Sequence, residues 1–486
     1  MAKERFKLHQ ELQKKDNSAN HEKVLEDVKE KLEKERTMKV SIKEGAASSV
    51  MSGLTGDYIT PFALILKANN AQIGFLTSIP GLLSPIAQIF GSKIIEKYSR
   101  NKIIFVFVVL QALMWLPMAL LTLFFWKNMF VEYLPLILIV FYTLLSILGS
   151  IAGPAWFSLL GDIVPERIRG KYFGKRNKIC GTITLISTFT ASFLLDYFKT
   201  KGLILLGFSI LFTVATIFRL ISAFYFKKHY EPKLNLNNDY YFSFIQFIKK
   251  ALFNNYGRFT IFVAIFYIGV TFAGPFFSVY MLKNLGFSFK TYMIVNVSAS
   301  IFSLLFMPIW GKLSDKYGNR ELIKIGAILV GIMPILWIVS PNPIFLILVP
   351  QLLSGIGWAA FNLGAGNFIY DIVTRERRAI CVAYYNVVVG VGVFIGSIAG
   401  GLVAQYASIG FMNKFLFIFV LSGIFRLLAG FIMIPLIKEV RNVEKPRQNL
   451  LFYLKDINPE KELGEMYMGV QNGISNGLKR IKKIVK

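Results

Sequence analysis

Asp57 stands near the midpoint of an apolar run, residues 44–66, that has the length needed to cross a bilayer. An isolated charge at that depth costs about 2.5–3.5 kcal/mol on insertion scales, so such a residue faces a cavity or a partner. Two chemistries are open to it: reversible protonation or cation binding, or the anchoring of a polar solute. The structural alternative is a carboxyl hydrogen-bonded to Thr55, Tyr58 or a neighbouring helix. Arg219 and Arg426 lie inside two later apolar runs. Their long stems suit snorkelling or bonding to helix-end carbonyls, a structural role. Tyr267, Thr271, Gln351, Trp358, Asn362 and Asn367 are the neutral polar and aromatic groups that later runs offer to a cavity. They suit a small neutral, zwitterionic, cationic or amphipathic solute, because no basic cluster accompanies them to hold a phosphorylated or multiply anionic one.

Other chemistries lack their residues. The nucleotide-binding spacing Gly-x4-Gly-Lys-Ser/Thr is absent, and Gly170-Lys171-Tyr172-Phe173-Gly174-Lys175 has glycines and lysines at the wrong distances. His9, His21 and His229 fall in polar segments, so neither a metal site nor an intramembrane histidine relay is expected. Cys180 and Cys381 stand near the ends of separate runs and read as reduced thiols, not as a disulfide or metal pair. No cofactor is expected. A membrane acyl or glycosyl transferase would need an acid–base constellation at the membrane surface, and none is present.

The elements that must position these groups are membrane helices. The chain has 486 residues, 54% of them hydrophobic, and its apolar stretches recur at membrane length with few internal charges. They fall at about 44–66, 71–90, 103–125, 134–157, 177–198, 203–226, 258–282, 291–310, 322–340, 344–369, 380–406 and 415–437. The reading is an all-α membrane protein of about twelve transmembrane helices. A net charge of +27 could suggest nucleic acid in a soluble protein, but the charges alternate by loop. Lys93, Lys97, Arg100 and Lys102 share one loop, Arg167 to Arg176 the next basic one, and Lys227 to Lys250 a third, while the intervening loops hold few cations. Such alternation predicts a multi-pass protein of the cell membrane with both termini cytoplasmic. No nucleic-acid-binding motif appears.

Outside the runs, residues 1–43 alternate Lys and Glu, which predicts a solvated helix or a disordered tail. Residues 227–257 form a cytoplasmic linker whose Phe244, Phe247, Ile248 and Ala251 suit a helix lying on the membrane surface. The tail, residues 438–486, ends in a basic amphipathic stretch compatible with anionic membrane lipids.

The two halves repeat. Pro275 matches Pro61, and Asp371, Arg378 and Asn386 match Asp162, Arg169 and Asn177 at equal separations. Phe425-Arg426-Leu427 likewise matches Phe218-Arg219-Leu220. Several coincidences in the same order point to duplication. The counterpart of Asp57 is Thr271, so the symmetry breaks there. The turn Gly311-Lys312-Leu313-Ser314-Asp315-Lys316-Tyr317-Gly318-Asn319-Arg320 carries the spacing Gly-x-x-x-Asp-x-x-Gly-x-Arg, with a degenerate copy around Glu96. Gly311 is expected to let the preceding helix end against a neighbour, and Gly318 to take a positive φ.

This turn resembles the loop signature of the major facilitator superfamily of transporters, and the resemblance covers about residues 41–437. It implies two pseudo-symmetric six-helix bundles, 44–226 and 258–437, that rock about a central cavity. It implies a secondary active transporter of a small solute, monomeric, with protons or another cation as candidate coupling ions. The rival within the same fold is a non-transporting sensor or scaffold. Glu96, Asp162, Arg169, Gly311, Asp315, Gly318, Arg320, Asp371 and Arg378 would form the cytoplasmic gate. Asp315 would sit near Asn177 and Glu96 near Asn386, each at a helix start. Drug–proton antiporters of the family carry an arginine in the fourth span and a Gly-Pro-rich run in the fifth. Residues 134–157 and 177–198 lack both, so the resemblance stops short of that subgroup.

Overall fold

The computed structural model describes residues 18–95, 97–165, 168–232, 243–374 and 377–443. All regular structure among them is helical. The first half comprises α1 (Ser18–Thr55), α2 (Ile59–Ile65), α3 (Asn70–Ile94), α4 (Arg100–Leu113), α5 (Trp115–Trp126), α6 (Leu134–Ile163), α7 (Arg169–Thr200) and α8 (Ile204–Phe226). A short helix, α9 (Phe244–Ala251), opens the second half. It is followed by α10 (Asn255–Val279), α11 (Phe289–Tyr317), α12 (Asn319–Ile332), α13 (Pro343–Leu346), α14 (Leu352–Ile372), α15 (Arg378–Tyr406) and α16 (Lys414–Met433). Single π-turns, Tyr280–Asn284 and Ile347–Gln351, extend α10 and join α13 to α14. Among the described residues, eleven stretches are long and apolar enough to cross a membrane. The first apolar run, residues 44–66, is not among them, being divided between the end of α1 and α2.

That division has a local cause. Pro61 has no N–H, so the carbonyl four residues back, on Asp57, loses its helical donor. Gly56 adds backbone freedom, and the chain turns over Gly56–Tyr58 before α2 resumes. The orphaned carbonyl must be satisfied in a membrane interior. Here the Tyr292 hydroxyl donates to it at 3.1 Å. The same device recurs in α12: Pro334 frees the Val330 carbonyl, which accepts from the Arg426 guanidinium at 3.0 Å.

The signature turn is shorter than its ten residues suggested. α11 runs through Gly311 to Tyr317, and α12 begins at Asn319. Gly311 therefore does not end its helix, and a Cβ there would meet nothing within 4 Å. Gly318 alone makes the turn, with φ +86° and an added Cβ 2.4 Å from a Glu439 carboxylate oxygen. Both the positive φ and the close approach require glycine.

By contacts the chain forms two compact units. One holds the described residues through Asp239 together with Gly274–Met293 and Val393–Ala407, and the other holds the rest. In the first, Ile103, Ile104, Val108, Ala155, Leu159 and Phe226 make a core between α4, α6 and α8. In the second, Trp310, Leu313, Tyr317, Leu322 and Ile325 make the corresponding core with Ala359 and Ala360 of α14. Small residues let backbones approach within each unit, as membrane packing requires. A Cβ on Gly74 of α3 would lie 3.0 Å from the Gly401 Cα of α15, and one on Gly392 would strike the Ala264 carbonyl of α10. The N-terminal tail is less separate than its charge pattern suggested. α1 is one helix from Ser18, and Thr37, Ser41 and Glu44 on it are already buried.

Candidate functional site

Asp57 sits in the break between α1 and α2 with its side chain exposed, while the next residue, Tyr58, is fully buried. The Tyr58 hydroxyl donates to the Thr188 carbonyl of α7 at 2.6 Å, and the Thr188 hydroxyl donates to the Gly53 carbonyl at 3.0 Å. These bonds fasten both edges of the break to α7. A carboxyl group held on a non-helical turn can change charge or bind a cation without disturbing a helix ladder.

Glu44 makes a second polar centre in the first unit, which the sequence pattern left unremarked. Its carboxylate is 3.1 Å from Arg176 Nη2 and accepts from the Ser222 hydroxyl at 3.1 Å. Arg219 completes the group, donating from Nε to Gln111 Oε1 and from Nη1 to the Ser48 hydroxyl, both at 2.8 Å. The Arg176 guanidinium also lies over the Trp156 ring, 4.8 Å from its centroid. Arg219 thus bonds to side chains, whereas its repeat counterpart Arg426 bonds to the Val330 and Val270 carbonyls.

The neutral candidates lie in the second unit. Tyr267 and Trp358 come together with ring centroids 6.0 Å apart, and Phe361 meets Trp358 edge-on at 5.7 Å. Asn362, one turn beyond Trp358 on α14, is exposed, and Asn367 is half-buried. Two candidates are engaged in packing. The Thr271 hydroxyl donates to the Tyr267 carbonyl of its own helix at 2.8 Å, and the Gln351 amide donates to the Val295 carbonyl of α11 at 2.9 Å.

The charged turns form one cluster per unit. In the first, a Glu231 carboxylate oxygen accepts from the Arg100 N–H at 2.6 Å, capping α4. The Arg100 guanidinium, almost wholly buried, meets Asp162 at 2.5 Å. In the second, Glu439 accepts from the Arg320 N–H at 2.8 Å and caps α12 in the same way. Here the guanidinium comes from Arg441, 2.8 Å from Asp371 and 3.5 Å from Asp315. Asn319 links the cluster, accepting from the Ser314 hydroxyl and donating to Asp371, both at 2.6 Å. Arg378 bonds to the Tyr370 and Val373 carbonyls and lies over the Tyr370 ring. Glu96 and the side chain of Arg169 lie outside the described residues.

His229, beyond the end of α8, is buried in the first cluster rather than solvated. Its Nδ1–H donates to the Tyr225 carbonyl at 3.0 Å, its ring stacks on Phe226, and Nε2 is buried without a partner. Burial pushes its pKa below the ordinary histidine value, with the Arg176 charge acting in the same direction.

At the opposite end of the first unit, Asp196 near the end of α7 accepts from the Phe289 and Lys290 N–H groups, each at 2.8 Å. It caps α11 through segments the repeat pattern did not connect. A carboxylate four residues before the end of its own helix carries no local signal that it serves another helix. Glu231 and Glu439 carried a fainter one: each is an acidic residue shortly after a Phe-Arg-Leu repeat.

Profile comparison matches residues 45–272 and 259–457 to the Major Facilitator Superfamily. Over 171 residues the chain is 33% identical to "Multi-drug resistance efflux pump PmrA" of Streptococcus pneumoniae, 34% of this chain and 40% of that protein. Over 143 residues it is 24% identical to "Quinolone resistance protein NorA" of Staphylococcus aureus, 29% of this chain and 36% of that one. The matched stretches span well under half the length of these relatives. Among solved structures, the nucleoside transporter NupG superposes with a TM-score of 0.60 at 16% identity, covering 84% of this chain and 99% of NupG. An inward-facing, occupied bacterial homologue of the lysosomal transporter Spinster gives 0.61 at 15% identity, covering 85% and 99%. At such identities the likeness is one of fold.

Proposed function

The chain belongs to the Major Facilitator Superfamily, and we propose that it is a secondary transporter moving a small solute across a cell membrane by alternating access. The two repeats, residues 44–226 and 258–437, are the rocking bodies in this reading, and both termini are cytoplasmic. The observation that carries the proposal is Asp57: a carboxylate on a proline-broken turn within the first span, replaced by Thr271 in the other repeat. Such an asymmetric, non-helical acidic site suits proton or cation coupling.

The solute class is a neutral or cationic amphiphile, and the direction is outward. The Tyr267–Trp358–Phe361 aromatic group supports the class, since ring faces attract cations and apolar surface alike. The direction is supported by the name of a partly matched relative, a multi-drug resistance efflux pump.

The test is a thermal-shift screen of lipophilic cations and neutral amphiphiles, followed by transport of the hits in proteoliposomes with an imposed pH gradient. The wild type should transport in the gradient, and Asp57→Asn should bind but lose the gradient dependence. Gradient-driven transport retained in full by Asp57→Asn removes Asp57 from coupling. Absence of any solute flux in the wild type overturns the transporter reading.

A further inference from the structure

A cavity of about 590 Å³ lies between α12 and α16 in the second unit, beside the charged turn that Glu439 caps. That volume falls in the range of ligand pockets. Its long walls are apolar, with Ala327, Ile328, Leu428 and Phe431 among them, and three cations also line it: Arg320, Lys324 and Arg426. Phe431 is 82% exposed and Leu428 52%, on a helix that crosses the membrane, so this side of the cavity opens on acyl chains.

The charges do not balance. Glu321 lies 3.6 Å from Arg320 and 3.3 Å from Lys324, and Glu439 is engaged on the Arg320 N–H. Arg426 has no carboxylate among the described residues. It is 1% exposed, its terminal nitrogens bond to the Val330 and Val270 carbonyls, and its Nε–H has no partner. The Arg320 Nε–H is likewise buried and unpartnered. A buried guanidinium without an anion is expensive, and this excess of cations along an apolar cavity calls for an anion that also carries hydrocarbon.

We propose that this cavity holds an anionic phospholipid of the leaflet at the charged-turn end of the protein. The phosphate sits at the mouth on Arg320 and Lys324, and one acyl chain runs over Phe431. The glycerol-ester oxygens are the acceptors nearest Arg426. Hydrocarbon length and negative charge are both needed, because neither half of the cavity is satisfied by one alone.

Thermal unfolding of the full chain in a neutral detergent tests this. Phosphatidylglycerol should raise Tm by several degrees, while phosphatidylcholine and inorganic phosphate should not. Arg320→Gln and Lys324→Gln should each weaken phosphatidylglycerol binding by about fivefold. Gly430→Leu offers a second variant that keeps every charge. A Cβ there is 3.6 Å from the Ala327 Cβ and 3.7 Å from the Ile434 Cδ1, both ordinary contacts, so added bulk at this cavity-lining position should abolish the response. Equal shifts with phosphatidylcholine, an equal shift with phosphate alone, or a full phosphatidylglycerol response in Gly430→Leu would each overturn the assignment.

Discussion

Asp196→Ala removes the carboxylate that caps α11, and its consequence can be worked from two bonds. The Phe289 and Lys290 N–H groups each lie 2.8 Å from an Asp196 oxygen, one per N–H. Losing an N-terminal cap costs about 1 kcal/mol. Losing a negative charge from a half-buried helix start adds up to about another 1 kcal/mol. The sum, about 2 kcal/mol, corresponds to roughly a thirtyfold change in an opening equilibrium. Asp196→Asn keeps one acceptor and should show about a fivefold change, half the free energy. The assay is amide hydrogen exchange read on peptides covering residues 285–295, because the two amides that lose their acceptor are themselves the reporters. In Asp196→Ala they should exchange about thirtyfold faster, with amides in the α4–α6–α8 core unchanged. Exchange at wild-type rates in the alanine variant would refute the cap. So would equal acceleration throughout the molecule, which would mean global destabilisation instead.

The polar centres make further predictions. Glu44→Gln leaves Arg176 and Arg219 without a charge partner and should destabilise the protein by about 3 kcal/mol. Adding Arg176→Gln should cost less than the sum of the single changes, as a double-mutant cycle of Tm or denaturant midpoints will show. Tyr292→Phe removes the donor to the Asp57 carbonyl and should cost about 1 kcal/mol, and Pro61→Ala, which restores a helical donor, should shrink that cost. His229 has a folded-state pKa below its unfolded value, so the unfolded chain takes the proton first as pH falls. Stability should therefore be full above about pH 6.5 and decline as pH drops from there toward the lower folded value. His229→Gln should flatten that slope in a Tm-against-pH series.

Length, apolar spacing and loop charge were enough to read the spans, because a bilayer demands an internally satisfied backbone and leaves few alternatives to a helix. The interruption at Asp57 was visible as Pro61 but not as a break, since a proline in a membrane helix only kinks it unless another donor takes the freed carbonyl. That donor, Tyr292, is contributed by α11, far along the chain. The signature turn was legible at Gly318, whose positive φ its neighbours require, and misread at Gly311, which is an ordinary helical residue. Asp162 and Asp371 were singled out by repeat matching, but the guanidinium groups paired with them were not. In the first repeat the partner stands at the start of α4, and in the second it follows α16. A charge that changes its place in the chain while keeping its place in the fold leaves no repeat to detect. Asp196, Glu231 and Glu439 are hidden for another reason: each serves the start of a helix distant in sequence.

In the proposed alternating access, α3 of the first repeat and α15 of the second must part at their ends and rejoin. Asn70 donates from its side chain to the Ala404 carbonyl at 2.9 Å and from its backbone to Gln405 Oε1 at 3.1 Å, so these ends are in register. Cysteines in place of Asn70 and Gln405, in a background lacking Cys180 and Cys381, should form a disulfide on oxidation. Cross-linking should stop solute flux in proteoliposomes, and reduction should restore it. Undiminished flux through the fully cross-linked protein would contradict alternating access in this chain.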